Sequence, residues 1–232
     1  MRKILLLSFL FIQTSLFGQT IHAFLLVDSL DRNIHNSTEH DLRGMKSELR
    51  RMAKNSHMKI KIYVFCHSNN IFEKSAKKLS KIKTKKSDII FFYFSGHGCR
   101  VPNYDSKWPI LLCQKGQKAV PLPLIIKAVR QKKHKLSLIF ADCCNTDESS
   151  IEEEGARHYR SSHIKKGSVV ATASVPNSYA IGTKKGGIFT QFLLHNLHKE
   201  RSLSKANWRR VLQKTSKYCT QCGQQPQYEV KT

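Results

Sequence analysis

Long apolar runs are almost absent from this chain. The one near the start, residues 4–12, is too short to span a bilayer comfortably, and no later stretch reaches the length a transmembrane helix needs. The usual signatures of nucleic-acid and zinc modules are missing as well. There is no zinc-finger spacing and none of the aromatic–glycine pattern of RNA-binding sheets. A single Cys219-Thr220-Gln221-Cys222 has no second pair to complete a zinc site, so it reads as a local disulfide or two inert thiols. Acidic residues are scarce: 16 Asp and Glu stand against 40 Lys and Arg, a formal net charge of +24. That excess predicts attraction to nucleic acid, anionic membrane surfaces or acidic proteins. The clusters at 74–86, 127–135 and 201–217 fall mostly on predicted helices, as solvated helix faces do, so charge alone identifies no groove.

What is present begins with Arg2-Lys3, the short apolar run and then small or polar residues through Gly18 and Thr20. This reads as a secretory signal peptide over 1–20, with Gly18 or Thr20 closing it. A single domain over 21–232 would then be secreted or periplasmic, large enough to bury a core without staples. Seven cysteines, an odd number, leave at least one thiol unpaired within an exported molecule.

Strands and helices alternate along the chain. Apolar runs at 21–27, 59–65, 89–95, 136–141 and 168–173 predict buried strands, and 227–230 predicts an edge strand. Helices are expected over 37–54 (capped by Ser37 or Thr38), 71–83, 124–133, 188–198 and 205–218. The segments 99–117 and 145–166 read as loops, the first holding an apolar trio at 110–112. The pattern implies an α/β fold: a mostly parallel central sheet flanked by helices on both faces.

Two strand ends carry the chemistry. The run 89–95 ends in Gly96-His97-Gly98, and 136–141 ends in Asp142-Cys143-Cys144. In open α/β sheets the carboxyl edge is where ligands bind. A thiol there becomes a strong nucleophile when an imidazole or backbone N–H groups favour its ionisation. Gly98 leaves an accessible N–H, so it and the Cys144 amide form a candidate oxyanion hole. Singly, a histidine after a strand is a loop residue and a buried cysteine a small hydrophobe; their joint occurrence raises the odds of Cys/His chemistry.

The stretches D-I-I-F-F-Y-F-S-G-H-G (88–98), L-I-F-A-D-C-C-N (138–145), G-S-V-V-A-T-A-S (167–174) with G-G-I-F-T (186–190), and Gln224-Gln225-Pro226-Gln227 resemble the caspase-like cysteine peptidases, bacterial caspase-like proteins and metacaspases above all. The separation of His97 from Cys144 is close to the roughly 50 residues of caspases. The resemblance implies a cysteine endopeptidase with Cys144 as nucleophile, Cys143 as a structural thiol and His97 as proton carrier. It also implies an S1 pocket of Asp142 and Ser95 that selects Arg or Lys at P1, with Asp28 and Asp31 as weaker candidates. D-C-C-N replaces the Q-A-C-x-G of aspartate-directed caspases, and 175–178 lacks the further acid that metacaspases usually carry there. Calcium recruitment by Glu152–Glu154 and self-cleavage at Arg157, Arg160, Lys165 or Lys166 are further expectations. The alternatives are a catalytically silent scaffold holding acidic partners or nucleic acid through its basic surface, and a Cys/His hydrolase or acyltransferase acting on a non-peptide substrate.

Overall fold

The computed structural model describes residues 18–68, 70–113, 118–147 and 164–232. In chain order the elements are β1 (Thr20–Val27), α1 (His35–Asn55), β2 (Lys59–Phe65), α2 (Ile71–Lys81), β3 (Ile89–Ser95), β4 (His97–Arg100), β5 (Ile110–Cys113), β6 (Lys118–Pro121) and α3 (Leu122–Arg130). They continue with β7 (Leu136–Asp142), β8 (Thr146–Asp147), β9 (Ser168–Thr172), β10 (Gly182–Thr183), β11 (Gly186–Gly187), α4 (Ile188–Leu197), α5 (Trp208–Gln221) and β12 (Gln227–Lys231). The central sheet runs β12-β9-β7-β3-β1-β2, parallel except for the antiparallel edge strand β12. This is the α/β architecture the sequence implies. No helix among the described residues is long and apolar enough to cross a membrane.

Strand alternation sorts side chains to two faces. On one, Ile21, Ala23, Leu25, Phe91, Tyr93, Leu138 and Phe140 pack with Leu42, Met45, Leu49 and Met52 of α1 and with residues of α4 and α5. On the other, Phe24, Leu26, Phe92, Phe94, Ile139 and Ala141 meet α2, α3 and Trp108. Because β3 and β7 are buried on both faces, their sequences are continuous apolar runs rather than alternating ones.

Several local expectations change. Neither Ser37 nor Thr38 caps α1; its N-cap is Ile34, with no side-chain cap, and the Thr38 hydroxyl bonds Asp28 O and His35 O instead. The last long helix starts at Trp208, where the Asn207 side chain accepts from Arg210 N. The segment 99–117 is not simply loop. Its apolar trio lies in β5, the centre of a second, four-stranded sheet ordered β6-β5-β4-β8 that extends the chain after His97. Glu152–Glu154, Arg157, Arg160 and residues 1–17 lie outside the described residues.

Candidate active site

Register brings the two motifs together. Strands β3 and β7 pair with Ser95 opposite Asp142, and the Gly96 amide donates to Asp142 O at 3.2 Å. His97 and Cys144 each lie two residues beyond that pair, on neighbouring strands at one edge. Gly98 packs directly on the Cys143–Cys144 turn after β7: a methyl on its Cα would come within 2.6 Å of Cys143 Sγ. A glycine is needed there for close approach.

The two thiols differ in environment. Cys143 is buried among Phe94, Leu111 and Ala141, and burial drives its thiol far above the ordinary range, with the charges of Cys144, Asp142 and Cys99 adding to the shift. Cys144 is half-buried and its Sγ faces both backbone polar groups of Ala180: Ala180 N–H donates to it at 3.3 Å, and the thiol points to Ala180 O at 3.8 Å. Burial raises the Cys144 thiol, the Ala180 N–H lowers it, and Asp142 raises it again. The turn is pinned on both sides. Ser174 Oγ donates to Cys143 O at 2.8 Å, Asn145 N to Ser178 O at 3.0 Å, and Asn177 N to Asn145 O at 2.8 Å. The segment 175–178, which lacks an acid, therefore anchors the turn that carries Cys144.

His97 has an acid partner. Its Nε2 lies 3.2 Å from Asp31 Oδ2, and Asp31 Oδ1 accepts from Asn33 N at 2.8 Å, fixing the carboxylate locally. Asp31 thus meets the histidine rather than the Asp142 pocket. Asp28 sits on the opposite face, where Cys113 Sγ approaches its Oδ1 at 3.6 Å.

Asp142 and Ser95 do come together, joined by a residue absent from the expected set. Ser95 Oγ donates to Asp41 Oδ2 at 2.7 Å, and Gly187 N to Asp41 Oδ1 at 3.0 Å. Asp142 Oδ2 accepts from both Thr190 N at 2.9 Å and Thr190 Oγ1 at 2.6 Å, and Tyr93 OH bonds the same hydroxyl at 2.6 Å. The glycines Gly186 and Gly187 lie tightly against these carboxylates, leaving no room for a Cβ. Both acids are at least 95% buried. None of the ion pairs among the described residues involves either one. Burial and the charge of Asp142 raise Asp41 to about 8, against the hydrogen bonds from Ser95, Gly187 and Tyr93. Burial raises Asp142 to about 6, opposed by Thr190. Asp41 had one signal in the sequence: it lies a helical turn before Met45, on the face that buries Met45, Leu49 and Met52.

A family model described as a caspase domain matches residues 31–232. The chain belongs to the caspase-domain family. That match spans the strands that end at His97 and at Cys144, the glycine pair and the closing strand, and makes the protein a caspase-like peptidase domain whose family acts on protein substrates. No curated protein matches it. Within the caspase-domain framework Asp31 starts the matched region and Asp41 lies on its first helix. Among the described residues, no group of three His, Cys, Asp or Glu is placed to hold a metal ion.

Proposed function

We propose that this caspase-domain protein is an exported cysteine endopeptidase that cleaves after Arg or Lys, with Cys144 as nucleophile and His97 as proton carrier. The observation that carries the reading is the Ser95–Asp142 register pair. It sets His97 and Cys144 at one edge, near two buried carboxylates that no ion pair among the described residues includes, in a chain of +24. Buried carboxylates are normally paired with a positive group, and here a P1 guanidinium or ammonium would supply it.

In this scheme Asp31 holds His97 through Nε2 and leaves Nδ1 for the thiol. Ionised Cys144 attacks the scissile carbonyl carbon, forming the C–S bond while the carbonyl electrons move to oxygen. Gly98 N–H and the Cys144 amide stabilise that oxyanion. Collapse breaks the C–N bond, and His97 gives its proton to the departing amine. Water, deprotonated by His97, then attacks the thioester, releasing the carboxylate product and the thiol. Asp142, Ser95 and Asp41 hold the P1 side chain.

Export is compatible with where β1 starts. Gln19 O accepts from Lys59 N and Thr20 N donates to Asp88 Oδ1, so cleavage after Gly18 keeps β1 whole whereas cleavage after Thr20 would trim it. Secreted and periplasmic destinations both follow from such processing.

A peptide with Arg at P1 and a thiol-reactive carbonyl end tests the reading. Intact mass should show one adduct, located at Cys144 and missing in Cys144→Ala. An adduct on Cys143, or equal labelling by a peptide with Asp at P1, would contradict it.

A further inference from the structure

The Gln224-Gln225-Pro226-Gln227 stretch lies far from Cys144 in sequence, and no step of the proposed chemistry uses it. Its first residue nevertheless reaches the site. Helix α5 ends at Gln221, Gly223 turns the chain with φ +82, and Gln224 N donates to Cys219 O at 3.0 Å. The Gln224 side chain is thereby directed inward, where the residue is only 1% exposed.

Both ends of its amide are used. Nε2 donates to Ala173 O at 3.1 Å, just past β9, and Oε1 accepts from Ile181 N at 2.8 Å. The Ile181 N–H belongs to the same peptide plane as the Ala180 carbonyl, the group that the Cys144 thiol faces. A peptide is rigid and planar, so fixing its N–H fixes the direction of its carbonyl. The same plane includes the Ala180 Cα, so the restraint also holds in place the residue whose own N–H, in the preceding Tyr179–Ala180 peptide, donates to Cys144 Sγ. Tyr179 and Ile181 are solvent-exposed, so packing of their side chains does little to hold this segment.

We infer that Gln224 is a positioning residue for the nucleophile: its buried amide ties the Ala180–Ile181 peptide to the end of β9 and so anchors Ala180 where its N–H reaches Cys144 Sγ. A donor aimed at sulfur favours the thiolate over the thiol. Loosening the peptide removes that preference without altering the residues that take part in bond making. The inference rests on Cys144 being the reactive thiol.

The test is alkylation of the full chain by iodoacetamide across a pH series, with the adduct located by peptide mapping because Cys66 and Cys222 are also accessible. Gln224→Met keeps the side-chain volume but makes neither hydrogen bond. It should raise the pH midpoint of Cys144 alkylation by about one unit, reducing modification below the midpoint about tenfold. For an Arg substrate, kcat should fall with KM nearly unchanged. Ala180→Pro, on the surface segment, removes the N–H itself and should produce the same shift, and the double variant should shift no further.

A role confined to stability would lower the melting temperature and leave the midpoint in place, and that result would overturn the inference. So would additive shifts in the double variant. Should Gln224→Met not fold, Gln224→Asn, which withdraws the neutral amide by one carbon, replaces it with the same expected shift and the same overturning result. Peptide hydrolysis that survives in Cys144→Ala would instead defeat the nucleophile assignment, a separate failure.

Discussion

Among the described residues, Asp41 and Asp142 flank Gly187 with hydroxyl and amide donors but no cation, and this decides how the pair responds to pH. Both folded-state values lie above the ordinary 3.8, at about 8 for Asp41 and about 6 for Asp142. The folded protein therefore holds these protons more tightly than the unfolded chain does. Their contribution to stability is complete below about pH 4 and declines as pH rises through about 6 and about 8. Asp41→Asn removes one of the two charges. It should melt higher than wild type at pH 9, by the equivalent of about 1–3 kcal/mol, the usual scale for an unpaired buried polar group, and match it near pH 4. Thermal melts at both pH values check this. A variant less stable than wild type at pH 9 would mean that the charged Asp41 is well satisfied in the fold. The same variant should weaken cleavage after Arg, because the proposed P1 subsite loses one of its two carboxylates.

At the scale of elements, the site depends on how closely β4 can lie on the turn after β7. Gly98 is the point of contact, with its Cα against the Cys143 side chain and the Cys144 carbonyl. Gly98→Ala should cost about 1–3 kcal/mol, as overpacked sites do, and lower kcat more than tenfold by displacing Cys144 from His97. Chemical denaturation and steady-state kinetics measure the two effects; an alanine variant with wild-type kcat would show that the turn tolerates displacement. Much of this level was legible in the sequence. The runs through β3 and β7 announced buried parallel strands, and the glycines around His97 announced a turn at the carboxyl edge. The small sheet was not legible, because β4 and β5 hold four residues each and the intervening Pro102, Asn103 and Pro109 dominate the local pattern. Asp41 was obscured because a carboxylate on an amphipathic helix ordinarily faces water, and only the tertiary meeting of α1 with β3, β7 and β11 gives it partners. Asp31 reads from sequence as a pocket acid and instead meets His97. Which of two neighbouring acids turns toward the histidine depends on the loop path after β1, and residue spacing does not encode that.

At the scale of the whole molecule, the uneven charge gives the proposed specificity its setting. Forty Lys and Arg leave a positive surface, while Asp41 and Asp142, which no ion pair among the described residues includes, are buried at the strand edge that carries Cys144. Such a surface attracts acidic proteins from a distance and suits nucleic-acid contact in a silent scaffold equally well. The two readings separate at the thiol. Hydrolysis of matched peptides carrying Arg, Lys, Asp or Ala at P1, by wild type and by Cys144→Ala, with and without calcium, is the most direct measurement. Cleavage after Arg and Lys, absent for Asp and Ala and abolished in Cys144→Ala, is the expected result. Cleavage indifferent to P1 or to the loss of Cys144, or a folded and reduced protein that cleaves none of the four, would contradict it.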